Sequence, residues 1–226
     1  MSGLSNAIVL DPDPRAGRQL QLGFEREGLA VRVPPIPDDL ATLTLDDPGV
    51  IVIGGSDTRA IELIRRARAI APPEVPIIFV GHSMGTMLAL LAWRAWPEWM
   101  RACVFVGGLP RVRPAIRARL TERAEDIAAH GLDGFGPRVS PGNFSPSTLR
   151  TRPEMVGTFE RLFEVQDADV YVRSIGLLLS GDTAAIAPTL TIPCLSLSGR
   201  DDSYAPPDAV KAFVDTIPGP PPMPVI

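Results

Sequence analysis

Along this chain the apolar residues fall into two alternating patterns. Short, nearly unbroken runs come first: Ala7 to Leu10, Leu29 to Val33, Val50 to Ile53, Pro76 to Val80 and Ala102 to Val106. Their length and their content of Val and Ile predict buried strands. Between them apolar positions recur three or four residues apart. Ala16, Leu20 and Phe24 precede Gly28; Ile61, Ile64, Ala67 and Ile70 precede Pro72-Pro73; Leu88, Leu91 and Trp93 precede Pro97. These are helix faces with stop signals, and Asp13 followed by Pro14 supplies a start signal for the first. Strands alternating with helices predict an α/β fold: a doubly wound, mostly parallel sheet with helices on both faces.

After Pro110 the rhythm changes. Helical periodicity covers Pro114 to His130, Pro153 to Val165 and Asp169 to Leu179, while Gly131 to Ser147, rich in Gly, Pro and Ser, reads as a connecting loop. A strand returns at Ile192 to Leu197, followed by the turn Gly199 to Asp202 and a helix carrying Val210, Phe213 and Val214. The expected organisation is a sheet core over 1–109, a helical cap over 110–188, the last strand, acid turn and helix over 189–217, and an irregular, proline-rich tail over 218–226.

The chemistry concentrates at the fourth strand. It runs into Gly81-His82-Ser83-Met84-Gly85 and then a run of helix formers. A serine on so tight a strand-to-helix turn needs small residues on both sides, and Gly81 and Gly85 supply them. The turn presents the Ser83 hydroxyl at the carboxyl edge of the sheet, with helix N-terminal N–H groups behind it for a developing oxyanion. The plainer alternative is a Gly-rich turn whose serine only caps the helix.

Composition narrows the field. The 226 residues are 45% apolar and 21% charged with net charge −4, ordinary for a globular protein and unsuited to nucleic acid or an anionic membrane. The first residues lack the basic and apolar regions of an export signal, and no apolar run reaches membrane-spanning length, so a cytoplasmic location is expected. Cys103 and Cys194 lie inside apolar runs and read as buried free thiols. Two histidines and no Cys/His cluster give no support to a metal site, and no cofactor is expected. Nothing in the sequence fixes the oligomeric state.

From Gly81 to about Gly219 the sequence resembles the α/β-hydrolase family, and within it capped ester and lactone hydrolases of the 3-oxoadipate enol-lactonase kind. The matching residues are Gly81 to Gly85, Pro97-Glu98 before the fifth strand, and Ile192-Pro193 leading to Gly199, Asp202 and Pro206. The resemblance implies Ser83 as nucleophile, the Met84 N–H as oxyanion donor, Asp202 as the carboxylate that orients a histidine, and a small-molecule ester or lactone as substrate. Thr86 stands where the family commonly has glycine. The family's histidine follows one further strand, and neither is found after the helix ending near Ile217. His82, beside the serine in sequence, is expected to point away from the hydroxyl. His130, near a helix end, is the remaining candidate base. The triad reads as incomplete, so the expected hydrolase is weak or inactive.

Residues 1–80 resemble a degenerate response-regulator receiver domain in their strand and helix rhythm. Asp11 and Asp13 remain after the first strand, but Pro12 separates them and Gly54 stands at the phosphoacceptor position. Phosphorylation is therefore not expected. A receiver sheet has the order 2-1-3-4-5, which would seat Val50 to Ile53 beside the serine strand and bring Gly54 and Gly55 near Ser83 as further oxyanion donors. The competing functional readings are a non-catalytic signalling or interaction module and a hybrid or C-terminally truncated hydrolase without evolved function.

Overall fold

The computed structural model describes residues 6–10, 30–36, 50–54, 59–219 and 224–225, with the single positions 21, 25 and 42. Asp11, Asp13, Gly55 and most of the helix expected before Gly28 lie outside them. The strands are β1 (Asn6–Leu10), β2 (Ala30–Arg32), β3 (Val50–Gly54), β4 (Ile77–His82), β5 (Met100–Val106), β6 (Cys194–Leu197) and β7 (Pro224–Val225). They form one sheet in the order β2-β1-β3-β4-β5-β6-β7, every neighbouring pair parallel. β3 is adjacent to the serine strand as the 2-1-3-4-5 order requires, with Ile51 opposite Ile77 and Gly54 opposite Val80.

The sheet is buried on both faces. Ile8, Leu10, Ile51, Ile53, Ile77, Phe79, Cys103 and Phe105 pack with the helices on one side, and Ala7, Val9, Val31, Val50 and Val52 form the core of the other. That two-sided burial is why the strands read as unbroken apolar runs rather than alternating ones. Helix α1 (Arg59–Ile70) buries Leu63, Ile64 and Ala67, and α2 (Gly85–Ala95) buries Met87, Ala89, Leu90, Ala92 and Trp93. Cys103 and Cys194 face each other across β5 and β6 as buried free thiols. The hydrogen bond that the Cys103 thiol donates to Cys194, together with burial, pushes that thiol well up, so it stays protonated.

Two expectations need correction. The tail expected to be irregular contributes β7, which pairs with Ser196 and Leu197 of β6. Proline at Pro224 is compatible with this because an edge strand needs ladder bonds on one side only. The loop expected over 131–147 contains helix α4 (Gly136–Asn143) and the start of α5 (Pro146–Thr151). Proline in the first turn is preset for a helix. The rest is tertiary: the Gly136 N–H donates to Glu164 Oε1 at 2.9 Å, and Ser140 Oγ donates to Glu160 Oε1 at 2.6 Å. Those contacts override the poor intrinsic propensity.

Five helices therefore lie between β5 and β6: α3 (Pro114–His130), α4, α5, α6 (Pro153–Glu164) and α7 (Ala168–Ser180); α8 (Pro207–Val214) follows β6. Ile127, Leu132, Phe135, Val139 and Phe163 form one core of this layer, and Ile116, Leu120 and Ile175 another. Phe163 stacks toward Phe135 at 6.2 Å and meets Tyr171 edge-on at 4.9 Å between ring centroids.

Candidate active site

The carboxyl ends of β4, β5 and β6 are fastened to one another by backbone bonds. The Ser83 N–H donates to Val106 O and the Gly107 N–H to Leu197 O, both at 2.9 Å. The loops after these three strands consequently converge. Ser83 itself has φ of 53°, the left-handed region that a non-glycine residue rarely enters. This is the strained turn that lifts a serine hydroxyl off the sheet edge. Gly81 is required behind it: a Cβ there would sit 2.3 Å from Gly85 O and 2.8 Å from Thr86 N. Gly108 is required beside it, because its Cβ would meet Thr86 Oγ1 at 1.9 Å and Ser83 O at 2.7 Å. Thr86 at the family's glycine position is thus fitted by a glycine across from it.

The turn passes straight into α2. The Thr86 N–H donates to Ser83 O at 3.0 Å and the Met87 N–H to Met84 O at 3.0 Å. Among the described residues no acceptor takes the Met84 N–H and no side chain bonds Ser83 Oγ. A free N–H one residue past a nucleophile, at a helix start, is where an oxyanion donor belongs.

Ser83 opens into a cavity of about 980 Å³. Its floor is His82, Ser83, Met84 and Gly107, one wall is the turn Gly199 to Tyr204, and its roof comes from α3, α4, α5 and α7. Asp202 is anchored in that wall. Its Oδ1 accepts the N–H groups of Tyr204 and Ala205, both at 2.9 Å, while Oδ2 is left pointing toward β5, 3.2 Å from where a Gly107 Cβ would be. The His82 ring approaches the same point from β4, with Nε2 at 4.0 Å. Serine, histidine and aspartate are therefore brought to one cavity.

Of the two histidines, His82 lines the cavity near Asp202, with no hydrogen bond to Ser83 Oγ. His82 is the last residue of β4, and the alternation of that strand puts its side chain on the face of Ile78 and Val80. His130 is not brought to Ser83: it sits at the end of α3, bonded through Nδ1 to Asp126 Oδ1 at 2.9 Å, and it does not line the cavity. Asp126 also pairs with Arg138, and that pairing first and His130 after it hold its carboxyl below the usual range. His82 is shifted down from 6.5 by burial, a shift that the charge of Asp202 opposes. A neutral imidazole at pH 7 results, as a proton acceptor must be.

Of the remaining predicted positions, Gly54 is buried at the end of β3 and does not line the cavity. Among the large apolar residues of the helical layer, Phe144 lines the cavity, while Phe135 belongs to the helical core, Phe159 packs against it, and Leu162 is 39% exposed. Arg123, Tyr171 and Tyr204, which line the cavity, carried no sequence signal: an arginine on a charged helix reads as a solvated residue. Among the described residues no helix is long and apolar enough to cross a membrane, and no three His, Cys, Asp or Glu side chains gather as a metal site.

A parallel sheet of this order, a serine on a left-handed strand-to-helix turn and an aspartate after the next strand but one define an α/β hydrolase. The chain belongs to the family described as serine aminopeptidase, S33, whose model matches residues 58–220. It is similar to monoglyceride lipase of Rattus norvegicus, 28% identical over 133 residues, which is 58% of this chain and 42% of that enzyme. The chain thus matches less than half the length of that relative. Among solved structures it resembles the enol-lactonase of Burkholderia xenovorans (TM-score 0.67, 16% identity, covering 99% of this chain and 84% of that one). It also resembles a hydrolase from Oleispira antarctica (TM-score 0.70, 14% identity, 100% and 84%) and an esterase from Thermogutta terrifontis (0.65, 18%, 97% and 81%). These likenesses concern the fold, and they include β1 to β3. The stretch that resembles a receiver domain lies inside the hydrolase sheet.

Proposed function

We propose that this protein cleaves a small carboxylic ester or lactone through a Ser83 acyl-enzyme. The observation that carries the reading is the unpartnered Ser83 hydroxyl, held at positive φ on the floor of a cavity that it shares with Asp202 and His82. Ser83 Oγ attacks the carbonyl carbon, the C–O bond to the alcohol breaks, and the alcohol leaves with a proton; water then attacks the acyl carbon and frees Ser83. The Met84 N–H donates to the oxyanion. His82 accepts the serine proton and returns it to the leaving oxygen, with Asp202 Oδ2 stabilising the imidazolium. The five helices over the sheet edge serve as the cap that bounds the substrate. Because no hydrogen bond joins His82 to Ser83 Oγ, turnover is expected to be slow, and substrate binding has to bring the two together.

That missing bond is also the one observation favouring a second reading, a binding protein on a hydrolase scaffold. Labelling with a fluorophosphonate probe, followed by intact mass, separates the two. A single adduct on the parent protein, absent from Ser83→Ala and strongly slowed in His82→Ala, is the expected result. An adduct unaffected by His82→Ala removes His82 from the base role. A folded parent protein that takes up no probe ends the enzyme reading.

A further inference from the structure

Asp202 is oriented by the residues that follow it. Its Oδ1 accepts the N–H groups of Tyr204 and Ala205, so the direction of Oδ2 is set by how this short turn lies. The core ties the turn at its two ends. The Asp202 N–H donates to Gly199 O at 3.1 Å, and Ser198 Oγ donates to Ala205 O at 2.7 Å. Its tip is tied to the helical layer.

The Tyr204 side chain leaves the turn and enters that layer, packing against the cluster of Ile116, Leu120 and Ile175 on α3 and α7. Two guanidiniums of α3 hold its ring, Arg119 at 5.4 Å and Arg123 at 5.9 Å from the centroid. Arg123 Nη2 also donates to Tyr204 Oη at 2.7 Å. Gly142 of α4 closes the same corner, where a Cβ would stand 3.0 Å from Arg119 Nη2 and 3.5 Å from Tyr204 Oη. Beside it, Arg113 Nη1 donates to Ser203 O at 3.4 Å. An aliphatic side chain would fill the same space, but only an aromatic ring offers cations a face, and only a phenol offers Arg123 an acceptor.

We infer that Tyr204 is a positioning residue for the Ser83 reaction: gripped by α3 through its side chain and bonded to Asp202 through its backbone, it makes the direction of the Asp202 carboxylate depend on the seating of the helical layer. The inference rests on the hydrolase reading for the role of Asp202, but the coupling can be read without turnover.

His82 reports on it. Burial lowers the His82 value, and the charge of Asp202 opposes that. The other charged groups lining the cavity are Arg123, Arg200 and Asp201. The chain has two histidines, so the ring protons of each can be followed by NMR through a pH titration. His130, bonded to Asp126 outside the cavity, supplies the reference signal. Tyr204→Ala should lower the His82 midpoint by about half a pH unit or more, a fraction of what an opposite charge at close range contributes, and should slow probe labelling several-fold. In an Asp202→Asn background the amide oxygen still accepts the two N–H groups but the charge is gone, and there Tyr204→Ala should no longer lower the midpoint. Tyr204→Phe, which keeps a ring between the guanidiniums, should recover most of the fall. Should Tyr204→Ala fail to fold, Tyr204→Leu, which fills the space without an aromatic face, takes its place with the same expected fall.

A merely structural role predicts the opposite sign, because admitting water to a buried imidazole raises its midpoint. A rise, an unchanged midpoint, a fall that survives Asp202→Asn, or a Tyr204→Phe protein that recovers nothing overturns the proposal. The expected titrations in a parent protein that takes up no probe would sink the hydrolase reading alone. Labelling in a parent protein whose His82 midpoint ignores Tyr204 would sink this one alone.

Discussion

Replacing Gly81 by alanine tests the tight packing of the elbow. The new Cβ would lie 2.3 Å from Gly85 O, 2.5 Å from Gly85 C and 2.8 Å from Thr86 N. All three are backbone atoms, so no side chain can rotate away; either α2 lifts from β4 or the turn opens. Inserting a methyl into a packed interior costs about 1–3 kcal/mol where side chains can adjust, and a backbone obstacle puts this site at about 3 kcal/mol or beyond. For a chain of this length each kcal/mol moves the melting temperature by about 2–4 °C, so a fall of about 6–12 °C is expected. Gly176→Ala is the matched control. Gly176 lies in α7 with nothing within 4 Å of its would-be Cβ and no positive φ. There the methyl should add about 0.5–1 kcal/mol of helix stability and raise the melting temperature slightly. Melts followed by circular dichroism, with probe labelling in parallel, give both numbers. A Gly81→Ala protein that melts within about 2 °C of the parent would refute the geometry, because the clash admits no smaller response.

Two further outcomes follow from the site. Ser83→Gly should stabilise the fold by about 1 kcal/mol in urea titrations, since it relieves a left-handed backbone and breaks no side-chain hydrogen bond, while abolishing labelling; a loss of stability would contradict the strain. The lowered His82 value predicts a pH slope: above 6.5 the ring is neutral folded and unfolded, and as pH falls below 6.5 the unfolded chain takes the proton first, so stability declines until the folded value is passed. Urea midpoints over about pH 8 to 5 should show that decline and its flattening in His82→Gln; Asp126 does not interfere, because its carboxyl titrates only below 3.8.

What could be read from the sequence was what local chain geometry determines. The strand, the turn with its flanking glycines and the helix after it are neighbours along the chain, so Gly81 to Gly85 announced the elbow and Ser83 together. Of Asp202 only its turn between a strand and a helix was local; the residue itself was singled out through the resemblance carried by Gly199, Asp202 and Pro206. α4 was not legible, because its glycines and prolines are tolerated only through bonds to Glu160 and Glu164 on another helix. β7 was hidden by prolines that an edge position forgives. That His82 shares a cavity with Asp202 was not legible, because the two meet only once β4, β5 and β6 have paired. Arg123 was invisible because its place in the cavity wall is set by how the helices pack, a property of the assembled fold.

The insertion between β5 and β6 has a consequence for how the chain folds. Cys103 and Cys194 are direct partners in the sheet, yet the whole helical layer separates them in sequence. Closing that span carries an entropy cost that the nearer pairings of β1 to β5 do not. The first five strands with α1 and α2 should therefore assemble early, with β6 docking once the intervening helices have collapsed and shortened the distance. Until then β5, one of the most apolar strands, presents an open edge. The inserted helices determine how long that edge stays uncovered, so variants that loosen the Phe135 and Phe163 core should lower the yield of refolding through aggregation even where the finished fold tolerates them.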